Sequence, residues 1–146
     1  VPSSKGQTIL AALVLEQLKD IGCVDIAMDS NGLGYATLKG NCKEAATIAL
    51  FAHLDTAIDV IGDTNAQIIK DYRGGNLKFL NDRNILSVAN HPQLSEFIGD
   101  DIIMTDGTSV LGADDKAAIA AIVEAIRYIK NNDVPHGDLK VVLLHD

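Results

Sequence analysis

The sequence predicts an α/β fold, in which a largely buried sheet is packed against helices, and three segments carry that expectation. Residues 46–52 (Ala-Thr-Ile-Ala-Leu-Phe-Ala) read as apolar throughout, and a strand without a polar face is buried on both sides, as in the middle of an α/β sheet. Residues 116–131 form the best helical pattern, rich in Ala and Ile, with Ile119, Ile122, Val123, Ile126 and Ile129 on one face. Residues 140–144 read as a second buried strand, so residues 46–52 and 141–144 are expected at the sheet centre with that helix face upon them.

The remaining elements follow in chain order. Ser3 or Ser4 can cap a helix over residues 7–21, whose face Ile9, Leu10, Leu13, Val14, Gln17 and Leu18 mostly keeps the helical period, and Gly22 ends it. Residues 24–28 alternate like a strand, Asp29-Ser30-Asn31-Gly32 is turn chemistry, and residues 33–38 complete a hairpin. The signal weakens from Ala57 to Gly99, with short strands expected at 65–72, 77–80 and 85–88 and a short helix at 92–97 opened by Pro92. A strand at 101–104 and a turn at 105–109 lead to the Asp114-Asp115 pair, and Pro135-His136-Gly137 turns the chain into the last strand. No repeat, low-complexity tract or interdomain linker is visible, so the 146 residues read as one domain. The start at Val1 and the stop just beyond a core strand suggest that both ends are cut.

Composition narrows the function classes. Apolar residues make up 47% and charged residues 22%, the balance of a globular domain rather than a disordered tail. No apolar run approaches the ~20 residues that cross a bilayer. The net charge of −8 repels phosphate backbones, which argues against nucleic-acid binding. Cys23 and Cys42 are too few for a disulfide scaffold and lack metal-binding spacing, so they are expected as unpaired thiols. Only four of the 20 acidic residues are Glu, and the predominant Asp favours turns and caps, where sites are often built.

Two motifs can carry chemistry. His53-Leu54-Asp55 follows the first buried strand, at the carboxyl end where α/β sheets place ligands. Residues two apart on a strand share a face, so Asp55 can hold one imidazole nitrogen and leave the other for a metal. The plainer alternative is an exposed strand-end His beside an Asp that bonds its own turn. Gly112-Ala113-Asp114-Asp115-Lys116 opens the long helix; paired carboxylates there are most often caps favoured by the helix dipole. Their mutual repulsion nevertheless calls for a cation, either Lys116 or a bound metal. One imidazole with carboxylates is a mixed N/O set suited to Zn²⁺, with Mn²⁺ or Co²⁺ as alternatives. His91 reads as a helix start, His136 as a solvated turn residue, and His145-Asp146 as a pair without a function; Arg73-Gly74-Gly75 could hold an anion or simply be an exposed loop.

Taken together, these motifs resemble the M20 co-catalytic metallopeptidases. Phe51-Ala52-His53-Leu54-Asp55-Thr56 is similar to their H-x-D-T signature, and residues 108–117, Thr-Ser-Val-Leu-Gly-Ala-Asp-Asp-Lys-Ala, to their second metal motif. Asp71-Tyr72-Arg73-Gly74-Gly75, Ile103-Met104-Thr105-Asp106-Gly107 and Pro135-His136-Gly137-Asp138 narrow the resemblance to the peptidase T branch, the tripeptide aminopeptidases. Ala118 departs from the pattern, standing where Gly is common.

The resemblance implies the first part of a three-layer α/β/α zinc-peptidase catalytic domain over residues 1–146, with the small lid domain and the rest of the catalytic domain elsewhere. It implies that His53 binds one zinc, that Asp55 orients His53, and that Asp114 bridges two zincs and is followed by a peptide bond to Asp115 that is often cis. The general base, a Glu, and the further ligands are expected beyond Asp146, so this chain alone is expected to be inactive. The implied protein is cytoplasmic, acts on small peptides without nucleic acid or membrane partners, and has room for a homodimer. Another M20 amidohydrolase, a dipeptidase or deacylase, and a non-catalytic binding domain of the same fold are the competing readings.

Overall fold

A computed structural model describes residues 4–57, 65–81 and 84–145. Ser3, the alternative cap, and Asp146 lie outside the described residues. The chain forms two compact units, residues 1–56 with 113–146 and, inserted between them, residues 57–112.

The first unit is built on a four-stranded sheet in the order β1 (Val24–Met28), β2 (Gly34–Leu38), β8 (Leu139–Leu144), β3 (Ile48–His53). Helix α1 (Lys5–Ile21) begins after the extended Ser4 and ends at Gly22, whose φ of +105° is the left-handed conformation glycine adopts freely. The Gly22 and Cys23 amides then close the last turn on the Lys19 and Leu18 carbonyls. The face α1 buries is Gln7, Ala11, Val14, Leu15 and Leu18. Ile9 and Leu13, expected in its apolar face, are instead 69% and 51% exposed. The buried stripe passes through Ala11 and Leu15 because the helix comes close to the sheet at Gly34, where a Cβ would lie 3.4 Å from the Leu15 Cδ1 and 3.2 Å from Leu143.

Strands β1 (Val24–Met28) and β2 (Gly34–Leu38) form the expected antiparallel hairpin. Its turn is tied by Asp29, whose Oδ1 accepts the amides of Asn31 and Leu33 at 2.8 and 2.9 Å. Strand β8 (Leu139–Leu144) lies antiparallel to β2 and parallel to β3 (Ile48–His53), so it is central as the sequence predicts. Strand β3 differs from the expectation: among the described residues it is the edge of the sheet, and Phe51 is 60% exposed. Its apolar sequence shows that both faces can be covered, not that this segment covers them.

Helix α2 spans Ala113–Asn131 with a kink at its start: Asp114 and Asp115 have non-helical dihedrals, so the regular helix starts at Lys116 as expected. Ile119, Val123 and Ile126 are buried, while Ile122 and Ile129 pack at the margin. These residues share one core with α1 and with Ala36, Leu38, Ala52, Val141 and Leu143 of the sheet. Full burial of side chains such as Leu18, Ile126 and Leu143 contributes about 1.5–3 kcal/mol each.

The approach to β8 is fixed by a tight crossing of residues 39–46 with residues 133–138. The Asn41 and Cys42 amides both donate to the His136 carbonyl at 3.0 Å, and the Asn41 side chain accepts the His136 amide at 2.8 Å. The Asp138 carboxylate accepts the Gly40 amide at 2.8 Å, and its carbonyl accepts the Ile48 amide at 2.9 Å. This anchoring sets the β3–β8 register, which places His53 opposite Leu144.

The second unit contains two short antiparallel pairs. Strand β4 (Gln67–Ile69) pairs with β7 (Ile102–Met104), and β5 (Leu77–Lys78) with β6 (Ile85–Leu86). The helix at Pro92–Phe97 is a 3₁₀ helix. Tyr72, Leu77, Leu94 and Met104 form its core.

Candidate metal centre

The first unit holds the whole candidate site. His53 is the last residue of β3, and Asp55 follows it on the exit from the strand. Asp114 and Asp115 stand immediately before the regular part of α2 and are joined by a cis peptide bond. The two motifs, some sixty residues apart in sequence, meet at the imidazole. His53 Nδ1 lies 3.2 Å from Asp55 Oδ1, and His53 Nε2 lies 3.0 Å from Asp114 Oδ1.

The three groups differ in exposure. The His53 side chain is 25% exposed, while that of Asp114 is 93% exposed and open to solvent. With a carboxylate facing each ring nitrogen, the imidazole is held above its ordinary pKa, first by the Asp114 hydrogen bond and then by Asp55, against the opposing pull of desolvation. In the doubly protonated ring Nδ1–H donates to Asp55 and Nε2–H to Asp114; loss of the Nε2 proton, with Asp55 keeping the one on Nδ1, is what would free a lone pair for a metal.

The donor set fits a metal in part. Two zinc ligands at about 2.0–2.2 Å in a tetrahedral site stand roughly 3.3–3.6 Å apart. The His53–Asp114 separation of 3.0 Å is a few tenths shorter, the length of a direct hydrogen bond. A cation between them requires only a small outward movement of the exposed Asp114. Among the described residues, no group of three or more His, Cys, Asp or Glu side chains is placed to hold a metal ion. Among the described residues His53 and Asp114 are thus a pair of candidate donors rather than a closed ligand set.

Two neighbours have roles that the sequence reading did not assign. Asp115 Oδ2 accepts the His53 backbone amide at 3.2 Å. Lys116 does not serve as the counter-charge to the paired carboxylates; its ammonium donates to the Thr56 hydroxyl at 2.9 Å and the Asp55 carbonyl at 3.3 Å. No periodicity in the sequence could have shown these contacts, since both depend on β3 and α2 being adjacent.

Two other histidines meet backbone carbonyls. His145 Nε2 lies 2.6 Å from the Asn31 carbonyl, and His136 Nδ1 lies 2.6 Å from the Gly137 carbonyl. His91 precedes the 3₁₀ helix as expected, and Cys23 and Cys42 are free thiols. Arg73 pairs with Asp71, so its guanidinium has a carboxylate partner rather than an open anion site. In the second unit, Asp106 is 1% exposed and was not singled out from sequence; its carboxylate accepts the Thr108 hydroxyl at 2.6 Å, the Asn81 side chain at 2.8 Å and the Thr108 amide at 2.9 Å.

No protein-family model matches the chain. Similar curated proteins include peptidase T of Bacillus velezensis, 44% identical over 150 residues, and peptidase T of Alkaliphilus oremlandii, 42% identical over 151 residues. Each alignment covers 99% of this chain. The chain is similar to peptidase T along almost its whole length. It spans 36% and 37% of the length of those two proteins, little more than a third. Among solved structures, an aminopeptidase PepT from Bacillus cereus superimposes with a TM-score of 0.67 at 24% identity, over 96% of this chain and 31% of that one. A tripeptidase from Staphylococcus aureus gives 0.63 at 22% identity, over 92% of this chain and 30% of that one. These likenesses show the α/β fold.

Proposed function

We propose that the protein carrying this chain is a metal-dependent, zinc-using tripeptide aminopeptidase, and that residues 1–146 contribute the N-terminal portion of its M20-type catalytic domain. The convergence of Asp55 and Asp114 on the His53 imidazole at the end of β3 carries this reading, and the peptidase T relatives support it. The solvent-open Asp114 suits a bridging ligand, since a carboxylate has two oxygens and can serve two cations.

In this reading His53 Nε2 and one Asp114 oxygen are ligands. Asp55 holds the proton on Nδ1, which fixes the ring's tautomer and direction. Two divalent cations, Zn²⁺ or alternatively Mn²⁺ or Co²⁺, supply when bound a lowered water pKa and a polarised substrate carbonyl. The chain's own task is to present a neutral imidazole and an ionised carboxylate at a fixed separation. The general base and the remaining ligands belong to the rest of the protein.

The same reading makes the protein cytoplasmic, with a small peptide as its partner and a homodimer as its allowed assembly. The net charge of −8 argues against nucleic acid, and no helix among the described residues is long and apolar enough to cross a membrane.

The test is hydrolysis by the full-length protein with Zn²⁺, using a tripeptide, a dipeptide and an N-acyl amino acid. Release of the N-terminal residue from the tripeptide is expected, with His53→Ala and Asp114→Ala each lowering the rate at least ~10²-fold. The 146-residue chain alone is expected to show no measurable turnover. Comparable turnover by the chain alone would place the catalytic set within it, and selective cleavage of the dipeptide or the acyl amino acid would move the protein to another M20 activity.

A further inference from the structure

Asp115 and Lys116 stand where a helix start ordinarily turns its polar side chains onto its own amides. Here both reach across to the exit from β3. The direction of the His53 amide explains why Asp115 can do so. On the β8 side, the next amide, Leu54, donates to the Leu144 carbonyl at 2.7 Å. Successive amides of a strand point to opposite sides, so the His53 amide points away from β8, toward the edge that β3 forms among the described residues. The Asp115 carboxylate accepts it there at 3.2 Å. Three residues on, the Lys116 ammonium takes the Asp55 carbonyl and the Thr56 hydroxyl.

These contacts straddle the His53–Thr56 segment. One holds the backbone of the imidazole itself, and the other holds the backbone of the carboxylate that orients the imidazole. Both originate on the two residues that directly follow Asp114. The chain thus ties its two metal-facing motifs through charge-assisted hydrogen bonds, which are stronger and more directional than neutral ones.

We infer that Asp115 and Lys116 are positioning residues, which brace the exit of β3 against the head of α2 and thereby set the spacing between the His53 ring and the Asp114 carboxylate. This inference rests on the metal reading proposed above. Neither side chain needs to touch metal or substrate for it to hold. Partners that orient ligands typically change metal affinity by about 10–100-fold when removed.

The test uses the full-length protein carrying this chain, with three readouts: Zn²⁺ affinity by chelator competition, hydrogen exchange of the His53 amide without metal, and the thermal midpoint. Asp115→Ala and Lys116→Met are expected to weaken Zn²⁺ binding about 10–100-fold. Asp115→Ala should also speed exchange of the His53 amide. Asp115→Asn keeps an acceptor oxygen in place and should restore both readouts most of the way. Wild-type Zn²⁺ affinity in Asp115→Ala and Lys116→Met, with or without a lowered thermal midpoint, would overturn the positioning role. If Asp115→Ala gives no cooperative melt, Lys116→Met carries the same expectation, and wild-type affinity in that variant overturns it. If the wild-type protein binds no Zn²⁺ while Asp115→Ala still exposes the His53 amide, the metal reading fails and the mechanical brace stands.

Discussion

Replacing Gly137 by Ala probes the crossing that aligns β8 with β3. A Cβ at Gly137 would lie 2.5 Å from the Ala45 carbonyl oxygen, 2.3 Å from that of Ala46 and 2.7 Å from the Ala46 carbonyl carbon. Non-bonded heavy atoms rest at about 3.5–4.0 Å, so a gap of roughly 1 Å has to open. Every neighbour is backbone, so no side-chain rotation relieves the overlap. Overpacking of this kind costs about 1–3 kcal/mol. Opening the gap also strains the bonds from the Asn41 and Cys42 amides to the His136 carbonyl and from the Ile48 amide to the Asp138 carbonyl, each worth about 0.5–1.5 kcal/mol net. The opposing effect is the smaller conformational freedom of Ala in the unfolded chain, about 0.4–1 kcal/mol. Strain wins, and the expected loss is about 2–4 kcal/mol. With a urea slope of about 2 kcal/mol/M, the far-UV circular dichroism midpoint falls by about 1–2 M. Gly75 is the contrasting position, with φ of +89° and no atom within 4 Å of an added Cβ; Gly75→Ala should lose only about 1–2 kcal/mol, from conformation alone. A Gly137→Ala midpoint equal to wild type would refute the packing argument and with it this explanation of the β3–β8 register.

Other substitutions reach different parts of the molecule. Ile126, fully buried between α2 and the sheet, should cost about 2–5 kcal/mol as Ile126→Ala in the same urea assay, and an unchanged midpoint would contradict its placement. Asp106→Ala strands the donors of Thr108 and Asn81 and should destabilise the second unit by about 3 kcal/mol. Hydrogen exchange should then quicken in residues 65–81 and 102–108 and stay unchanged in β8, whereas equal acceleration in β8 would contradict separate compact units. Asp29 is held below the usual carboxylate range, chiefly by the Leu33 amide. Its stabilising effect is therefore full above the unfolded pKa of about 3.9 and lost as pH falls through the lower folded value. Asp29→Asn keeps an acceptor oxygen, so it should be less stable than wild type at pH 7 and equal to it in strong acid; a stability gap independent of pH would show that the charge plays no part.

Local pattern made much of the first unit legible. The β1–β2 hairpin, the stop at Gly22 and the long α2 face each depend on residues within a turn or two of one another. The edge position of β3 was hidden because an apolar segment reports what it can bury against, not which segment supplies the cover. The buried face of α1 differs from the periodicity at Ile9 and Leu13 for a related reason: the close approach at Gly34 favours the stripe through Ala11, and large exposed side chains carry no mark of exposure. The boundaries of the second unit fall at Thr56–Ala57 and Gly112–Ala113 without a Gly- or Pro-rich linker. The site was visible as two motifs with the right donor types, His53-x-Asp55 and Asp114. The tasks of Asp115 and Lys116 were not, because each is defined by a partner about sixty positions away. Asp106 reads in the sequence as a turn residue, because its side-chain partner Asn81 lies 25 positions earlier.

Paramagnetic broadening by Mn²⁺ tests most directly whether His53 and Asp114 share a metal site. In the ¹⁵N-labelled 146-residue chain, low Mn²⁺ should broaden the amides of His53, Asp55, Asp114 and Asp115 first, even when binding is weak, and His53→Ala should abolish that pattern. Broadening spread over the acidic surface, or centred elsewhere and unchanged in His53→Ala, would contradict the account.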